Sequence, residues 1–302
     1  MSELIVLVGL SGSGKSTFAC NLSEKNGYLV VSSDQYREVE YGDEKIQGDN
    51  QKLFSKIHDD IFKHLSSGRS VIFDATNLNY KHRIQLLQKM KKTGCSTKAI
   101  VMATPFEDCV YCNKGRKRKV EMYVISNQRK TFTFPSTGEG FDKIEIVFGG
   151  EDKEYLAYSL DLMYENMMGF EQDNPHHKKD LFGHTRDVVL GVGRDDLVTH
   201  LSAVLHDVGK LLTKGFRDGK GNVSEHAHYY SHENVSAYEA MFYLMNLGVS
   251  DDVIMDTCLV IQNHMRLHGD VTPKTLEKLE KIVGKKNLER LKVLNLADTD
   301  GK

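Results

Sequence analysis

An unbroken apolar run, Leu4–Val8, leads straight into Gly9-Leu10-Ser11-Gly12-Ser13-Gly14-Lys15-Ser16. That octapeptide fits G-x-x-x-x-G-K-[ST]. It constrains the chain more than any other feature, because the motif works only where a strand ends and a helix begins. Its glycines leave backbone N–H groups free to curl around phosphate oxygens. Gly9, Gly12, Ser13, Gly14 and Thr17 are therefore expected to line an ATP site. Lys15 supplies a point charge to the β and γ phosphates, and the Ser16 hydroxyl ligates Mg2+. The partial positive charge at the start of the following helix adds to the attraction.

The alternation continues through the first half. Tyr28–Val31, Val71–Phe73 and Ala99–Met102 are further short apolar runs, separated by mixed stretches such as Asn50–Leu65 and Tyr80–Lys92. This pattern predicts βαβ units and a mostly parallel sheet flanked by helices. Ile144–Phe148 reads as a last strand and Gly149-Gly150-Glu151-Asp152 as a linker. Beyond it the periodicity turns helical: Leu197–His206, Glu233–Leu247, Asp252–His264 and Leu276–Leu294 carry apolar residues three and four apart. Gly215–Asn222 reads as a loop. The expectation is an α/β domain over residues 1–150 and an all-α domain over 151–302.

Composition narrows the setting. The chain is 40% hydrophobic and 27% charged with 4 Pro, which is a soluble globular balance. No apolar run approaches the ~20 residues of a membrane span, and the N-terminus lacks the basic n-region and cleavage site of a signal peptide. Five scattered cysteines argue against a disulfide framework and for a cytoplasmic location. Cys109 and Cys112 form a lone C-x-x-C with no second pair, so they are read as ordinary cysteines. The first 150 residues carry 22 Lys+Arg against 17 Asp+Glu, and the remainder 18 against 25. Neither half is basic enough to demand nucleic acid on charge alone. Ten of the 13 histidines lie in the second half, which is expected to hold metal.

Within Ser32-Ser33-Asp34-Gln35-Tyr36-Arg37, Asp34 and Arg37 stand three apart and share one face of a helical turn. A carboxylate there accepts a proton from an attacking hydroxyl, and an arginine binds the acceptor's phosphate. Asp74, closing Val71-Ile72-Phe73-Asp74, holds the place of a second carboxylate on the Mg2+ side. The ordered set GLSGSGKST, SSDQYR, FDATN and, after a basic segment, EGFD resembles the polynucleotide kinase branch of the P-loop kinases over about residues 1–150. The resemblance implies that Asp34 activates a 5′-hydroxyl, that Arg37 grips the adjacent phosphate, and that a lid arginine covers the transferring phosphoryl group. Cys112–Lys119 is the lid segment. It begins Cys112-Asn113 where the family often has Arg-Asn, which leaves Arg116 and Arg118 both as lid candidates.

The second half carries His184, His206-Asp207, His232, His264 and Asp298. His206 and Asp207 emerge from the apolar run Ala203-Val204-Leu205, and Asp298 follows Leu294-Asn295-Leu296-Ala297. Buried His and Asp need partners, and one divalent cation satisfies several at once. Mixed imidazole and carboxylate donors suit Mn, Fe, Co, Ni or Zn. Lys210, three beyond Asp207, shares its face and is placed to contact phosphate. Over about residues 170–302 the chain resembles the HD-domain metal-dependent phosphohydrolases, in the version found in bacterial tRNA nucleotidyltransferases. The carrying segments are Asn174-Pro175-His176-His177, Leu181-Phe182-Gly183-His184-Thr185, His206-Asp207, His228-Tyr229-Tyr230-Ser231-His232 and Asn263-His264-Met265. The resemblance maps the H…HD…D ligands onto His184, His206, Asp207 and Asp298 and implies metal-dependent hydrolysis of a phosphoester. His232 and His264 then hold a second metal or bind substrate phosphate. His228 and His268 read as outer or surface residues.

Together the halves suggest one substrate with two damaged ends. The expectation is RNA end healing: ATP-dependent phosphorylation of a 5′-OH on RNA or DNA, and removal of a 2′-, 3′- or 2′,3′-cyclic phosphate, with a separate ligase as a partner. Two alternatives stand beside it. One is a nucleotide-metabolism enzyme, a small-molecule kinase fused to a nucleotide phosphohydrolase. The other is an ATP-sensing regulatory protein with a non-catalytic HD module.

Overall fold

The structure is a computed structural model and describes residues 2–116, 118–150, 163–175 and 178–301. The chain divides into two compact units. The first comprises Met1–Gln128 and Pro135–Glu151, the second Arg129–Phe134 and Asp152–Lys302.

The first unit is built on five strands, β1 (Glu3–Val8), β2 (Leu29–Ser32), β3 (Val71–Asp74), β4 (Ser96–Ala103) and β5 (Lys143–Phe148), in the order β2-β3-β1-β4-β5. Every pairing is parallel. Central β1 is apolar throughout Leu4–Val8 because helices cover both sheet faces and leave it no solvated side. The crossovers are α1 (Lys15–Asn26), α2 (Ser33–Tyr41), α3 (Asn50–Ser66), α4 (Tyr80–Met90), α5 (Phe106–Gly115) and α6 (Met122–Thr131). Helix α3 shows its origin plainly: Leu53, Ile57, Ile61 and Leu65 are buried at a four-residue repeat, and Asp49 caps its start by accepting from Lys52 N. β1 lies between β3 and β4, where the chain changes its direction of travel across the sheet. In such sheets ligands collect outside the carboxyl ends of the strands at that place. The EGFD segment turns out to be structural. Glu139 pairs through both oxygens with fully buried Arg83, at 2.7 and 2.8 Å, and Asp142 accepts from Thr97 N and Oγ1.

His58 of α3 packs between Phe54 and Phe73, with ring centroids 6.3 and 6.1 Å away. Burial, aided by Lys89, pushes its pKa down to about 4. The unfolded chain binds this proton near pH 6.5 and the folded chain does not. Stability is therefore full above pH 6.5 and falls as pH drops from 6.5 toward 4. We expect His58→Phe to remove about 1–2 kcal/mol of acid sensitivity, allowing for partial solvent access. Thermal melting at pH 7 and pH 5 of both proteins checks it; an unchanged pH 5 deficit would overturn it.

The second unit contains α7 (Leu181–Val192), α8 (Leu197–Leu205), the short α9 (Lys210–Thr213), α10 (His232–Asn246), α11 (Asp251–Asn263), α12 (Pro273–Val283) and α13 (Lys285–Asp300). Val188, Val198, Val260, Leu279, Leu291 and Leu294 meet in its core. Two expectations need correction here. The unit is not all-α: β6 (Gly215–Arg217), inside the expected loop Gly215–Asn222, pairs with β7 (Val223–His228) in an antiparallel hairpin. Asp218 makes its turn, accepting from Lys220 N and Asn222 N, a local geometry that helical periodicity does not register. The stretch Leu276–Leu294 is two helices, because Gly284 sits at φ 83° and breaks the repeat. Six residues of the first 150 also belong to this unit. Arg129 pairs with Glu239 at 2.9 Å, Phe132 packs edge-on against Tyr238, and Phe134 N donates to Gln262 Oε1.

Candidate functional site

The loop after β1 encloses the first site. Gly12 (φ 89°) and Gly14 (φ 83°) adopt the left-handed backbone that L side chains avoid. A Cβ on Gly12 would lie 2.1 Å from Cys109 O, so α5 can approach the loop only against glycine. Gly14 caps α1, whose first turn contains no acid, leaving its N–H groups for an anion. Lys15 is buried and donates to Leu10 O at 2.6 Å and Ser13 Oγ at 3.3 Å. Burial pushes its pKa down to about 8 against the opposing pull of Asp74, with Arg116 adding to the depression. The loop is also held from outside: Gln128 of α6 accepts from Ser11 N and donates to Ser11 Oγ.

A cavity of about 580 Å3 opens over this loop, and Lys15, Ser16, Thr17, Asp34, Arg37 and Asp74 line it. Arg116 and Arg118 reach the same cavity from the segment after α5. Asp74 is buried at the end of β3, in register with Ser32 of β2. Arg37 is buried, 3.4 Å from Asp34 and 3.0 Å from Asn50 Oδ1, with Phe54 beneath its guanidinium. Arg118 forms an ion pair with Asp34. Asn113, one turn earlier, both donates to Val120 O and accepts from Val120 N, clamping the ends of the arginine-bearing loop. Lys117 lies outside the described residues. The roles of Asn50, Asn113 and Gln128 are not legible in the sequence, since single amides at long range carry no spacing signal.

Residues 4–135 match the family described as AAA domain. The first unit, a parallel sheet with a phosphate loop after its central strand, holds most of the matched residues. A bifunctional polynucleotide phosphatase/kinase, so named, of Acanthamoeba polyphaga mimivirus is 32% identical over 162 residues, 51% of this chain and 35% of that protein. An L-seryl-tRNA(Sec) kinase of Methanococcus maripaludis is 27% identical over 184 residues, 56% of this chain and 69% of that protein. The chain thus spans about a third of the viral relative's length. Among solved structures, a chain of a Pnkp1/Rnl/Hen1 complex is 24% identical, with 40% of each chain covered and a TM-score of 0.35.

The second site is made from helix ends. His206 closes α8, His232 opens α10, His264 follows α11, Asp298 lies in the last turn of α13, and His184 is one turn into α7. All are buried, as is Asp207. Each of His206, His232 and His264 engages a backbone carbonyl through Nδ1, at Ala203 O, Tyr229 O and Ile261 O, within 2.9 Å. That contact places the proton on Nδ1 and leaves Nε2 as a lone-pair donor. The Nε2 atoms converge on Asp207. Its Oδ2 is 3.3 Å from His184 and 3.4 Å from His206; its Oδ1 is 3.3 Å from His232 and 3.9 Å from His264. Asp298 Oδ1 stands 3.1 Å from His184, while His268 holds Oδ2 at 2.8 Å.

These donors fit a divalent cation. Ligands about 2.1 Å from one ion stand roughly 3–4 Å apart, which is the spacing seen. Among the described residues, His206 Nε2 is buried without a hydrogen-bond partner. Two groups of three, His184-His206-Asp207 and Asp207-His232-His264, share the Asp207 carboxylate. Charge argues the same way. Burial would raise Asp207, yet Lys210 at 2.7 Å and the surrounding imidazoles keep it well below the usual carboxylate range. Burial works against a charged His184, but Asp207 and Asp298 hold it up at about 9. His264, buried beside His232 and His206, is pushed down to about 3. Buried carboxylates thus draw whatever positive charge is near.

The backbone here tolerates no substitution at Gly209. A Cβ would stand 2.4 Å from His232 O and 2.6 Å from Ser236 N, both main-chain atoms of α10. We expect Gly209→Ala to destabilise the second unit by about 3 kcal/mol, read as a lowered melting temperature, and to displace His232. A wild-type melting curve would refute this. Lys210 also donates to Gln172 Oε1 at 2.8 Å, a positioning contact invisible to local spacing. His176 and His177 lie outside the described residues. No helix among the described residues is long and apolar enough to cross a membrane.

Proposed function

We propose that the chain heals nucleic-acid ends, phosphorylating a 5′-hydroxyl in the first unit and hydrolysing a terminal phosphoester in the second. The observation that carries the kinase reading is the shared cavity: a phosphate loop, two carboxylates and three arginines face one space. ATP would lie along Gly9–Thr17, with Mg2+ at Ser16 and on the Asp74 side. Lys15 neutralises the β and γ phosphates. Asp34 accepts the proton of the attacking hydroxyl, and Arg37 holds the neighbouring phosphate of the acceptor. Arg118 occupies Asp34 in this structure. Its transfer to the phosphoryl group would expose the carboxylate, with Arg116 on the same loop as the other lid residue. Names of the relatives that concern a polynucleotide and a seryl-tRNA support a nucleic-acid acceptor.

In the second unit His184, His206, Asp207 and Asp298 would hold Mn, Co, Ni, Fe or Zn, as in an HD-domain phosphohydrolase, with His232 and His264 serving a second ion or the substrate phosphate. When bound, such a cation acidifies water and offsets negative charge on phosphate. Lys210 adds a fixed positive charge beside Asp207. The products, a 5′-phosphate and a free 3′ end, are those a separate ligase requires.

A short RNA bearing a 5′-OH and a 2′,3′-cyclic phosphate, incubated with ATP, Mg2+ and Mn2+, tests the proposal by mass spectrometry of both ends. Gain of one phosphate at the 5′ end and loss at the other supports it. Unchanged ends with brisk turnover of free nucleotides would replace it with nucleotide metabolism.

A further inference from the structure

The cavity over the second site has two chemically different parts. About 350 Å3 in volume, it is lined by the buried polar groups Asp207, Lys210, His232 and His264. It is also lined by side chains of the hairpin and its exit: His226, His228 and Tyr230. His226 and His228 lie two apart on β7 and so share one face of the strand, while Ala227 between them is buried. His228 and Tyr230 are stacked, with planes 5° apart and centroids at 5.3 Å. His228 Nε2 meets Ser224 Oγ at 3.1 Å, which orients that ring.

The stack is partly exposed. Tyr230 is 52% exposed, and Met265, another lining residue, is 42% exposed. Ser231, at φ 63°, turns the chain so that Tyr230 sits two residues before His232. Two residues span at most about 7 Å of backbone, and both Tyr230 and His232 line the same cavity. A ligand matching this cavity is anionic at one end and planar and apolar at the other.

We propose that the hairpin β6–β7 carries a nucleobase-stacking platform, in which the outer face of Tyr230, backed by His228, receives the base of the terminal nucleotide. The second site thus takes its substrate by base as well as by phosphate. The stack is sequence-tolerant, because every base has a π-face and no hydrogen-bonding edge is read. The proposal rests on the reading that this site acts on a phosphate-bearing nucleic-acid end.

The test uses the full chain and two hexanucleotides, each with 5′- and 3′-phosphates, differing only in whether the terminal nucleotide carries a base or is abasic. Binding is read by fluorescence anisotropy in chelator, and phosphate release by KM and kcat with Mn2+. Wild type is expected to bind the base-bearing strand about tenfold more tightly and to show the same ratio in KM, with kcat little changed. Tyr230→Ala should erase the ratio and Tyr230→Phe should keep it. Equal affinity of wild type for both strands would overturn the platform, whatever the variants do. If neither strand loses phosphate, the hydrolase reading fails, while the anisotropy ratio still reports on the platform.

Discussion

Lys15→Met is expected to reduce 5′ phosphorylation at least about a thousandfold, equivalent to about 4 kcal/mol of transition-state stabilisation. Phosphate release by the second unit should be unchanged. Folding should not suffer. Lys15 is a buried ammonium whose pKa burial has driven down to about 8, so the folded chain carries a strained charge at neutral pH. Methionine fills similar volume without that desolvation, and the melting temperature should stay level or rise. Kinase assays on a 5′-OH oligonucleotide, paired with melting curves, separate the cases. A fall in both activity and melting temperature would mean that Lys15 serves the fold, through Leu10 O and Ser13 Oγ, more than the phosphates.

Asp207→Asn should have the opposite distribution. Both candidate metal groups share this one carboxylate, so its loss weakens both at once. Phosphate release is expected to fall by about three orders of magnitude, and bound divalent metal, measured by mass spectrometry of the purified protein, to fall to near zero. The substitution preserves shape but leaves the buried Lys210 ammonium, which also donates to Gln172 Oε1, 2.7 Å from a neutral amide. Removing one member of a buried charge pair typically destabilises by about 3–5 kcal/mol, so the second unit should also melt earlier. Kinase activity in protein still folded at the assay temperature should be spared. Retention of a full complement of metal would show that Asp207 is not a shared ligand, and joint loss of kinase activity would count against two separate sites.

The two halves differ in how much of this was legible along the chain. The phosphate loop is a contiguous device. Its glycines, Lys15 and Ser16 act through backbone geometry set within eight residues, so their spacing alone announces strand, loop and helix. The parallel sheet was legible for a related reason: a strand covered on both faces, such as Leu4–Val8, must be apolar at every position. The hairpin was not, because β7 reads Val-Ser-Glu-His-Ala-His and shows no apolar face to a sequence window. Its stability comes from a turn at Asp218 and from contacts such as Ala227 N with Asp173 O.

The resemblance to HD-domain phosphohydrolases, together with the apolar runs leading into His206-Asp207 and Asp298, nominated His184, His206, Asp207, His232, His264 and Asp298. Only the tertiary structure decides how they meet. It directs Nδ1 of three histidines onto backbone carbonyls, turns their Nε2 atoms toward Asp207, and divides the two oxygens of that carboxylate between two histidine pairs. The same holds for Arg118 on Asp34 and Asn113 across Val120, where loop closure brings distant groups together. Local spacing determines what the backbone does over one turn or one strand. Contacts between residues tens of positions apart depend on the packing of whole elements, and for those the sequence specified the donors and acceptors while the fold chose the pairs.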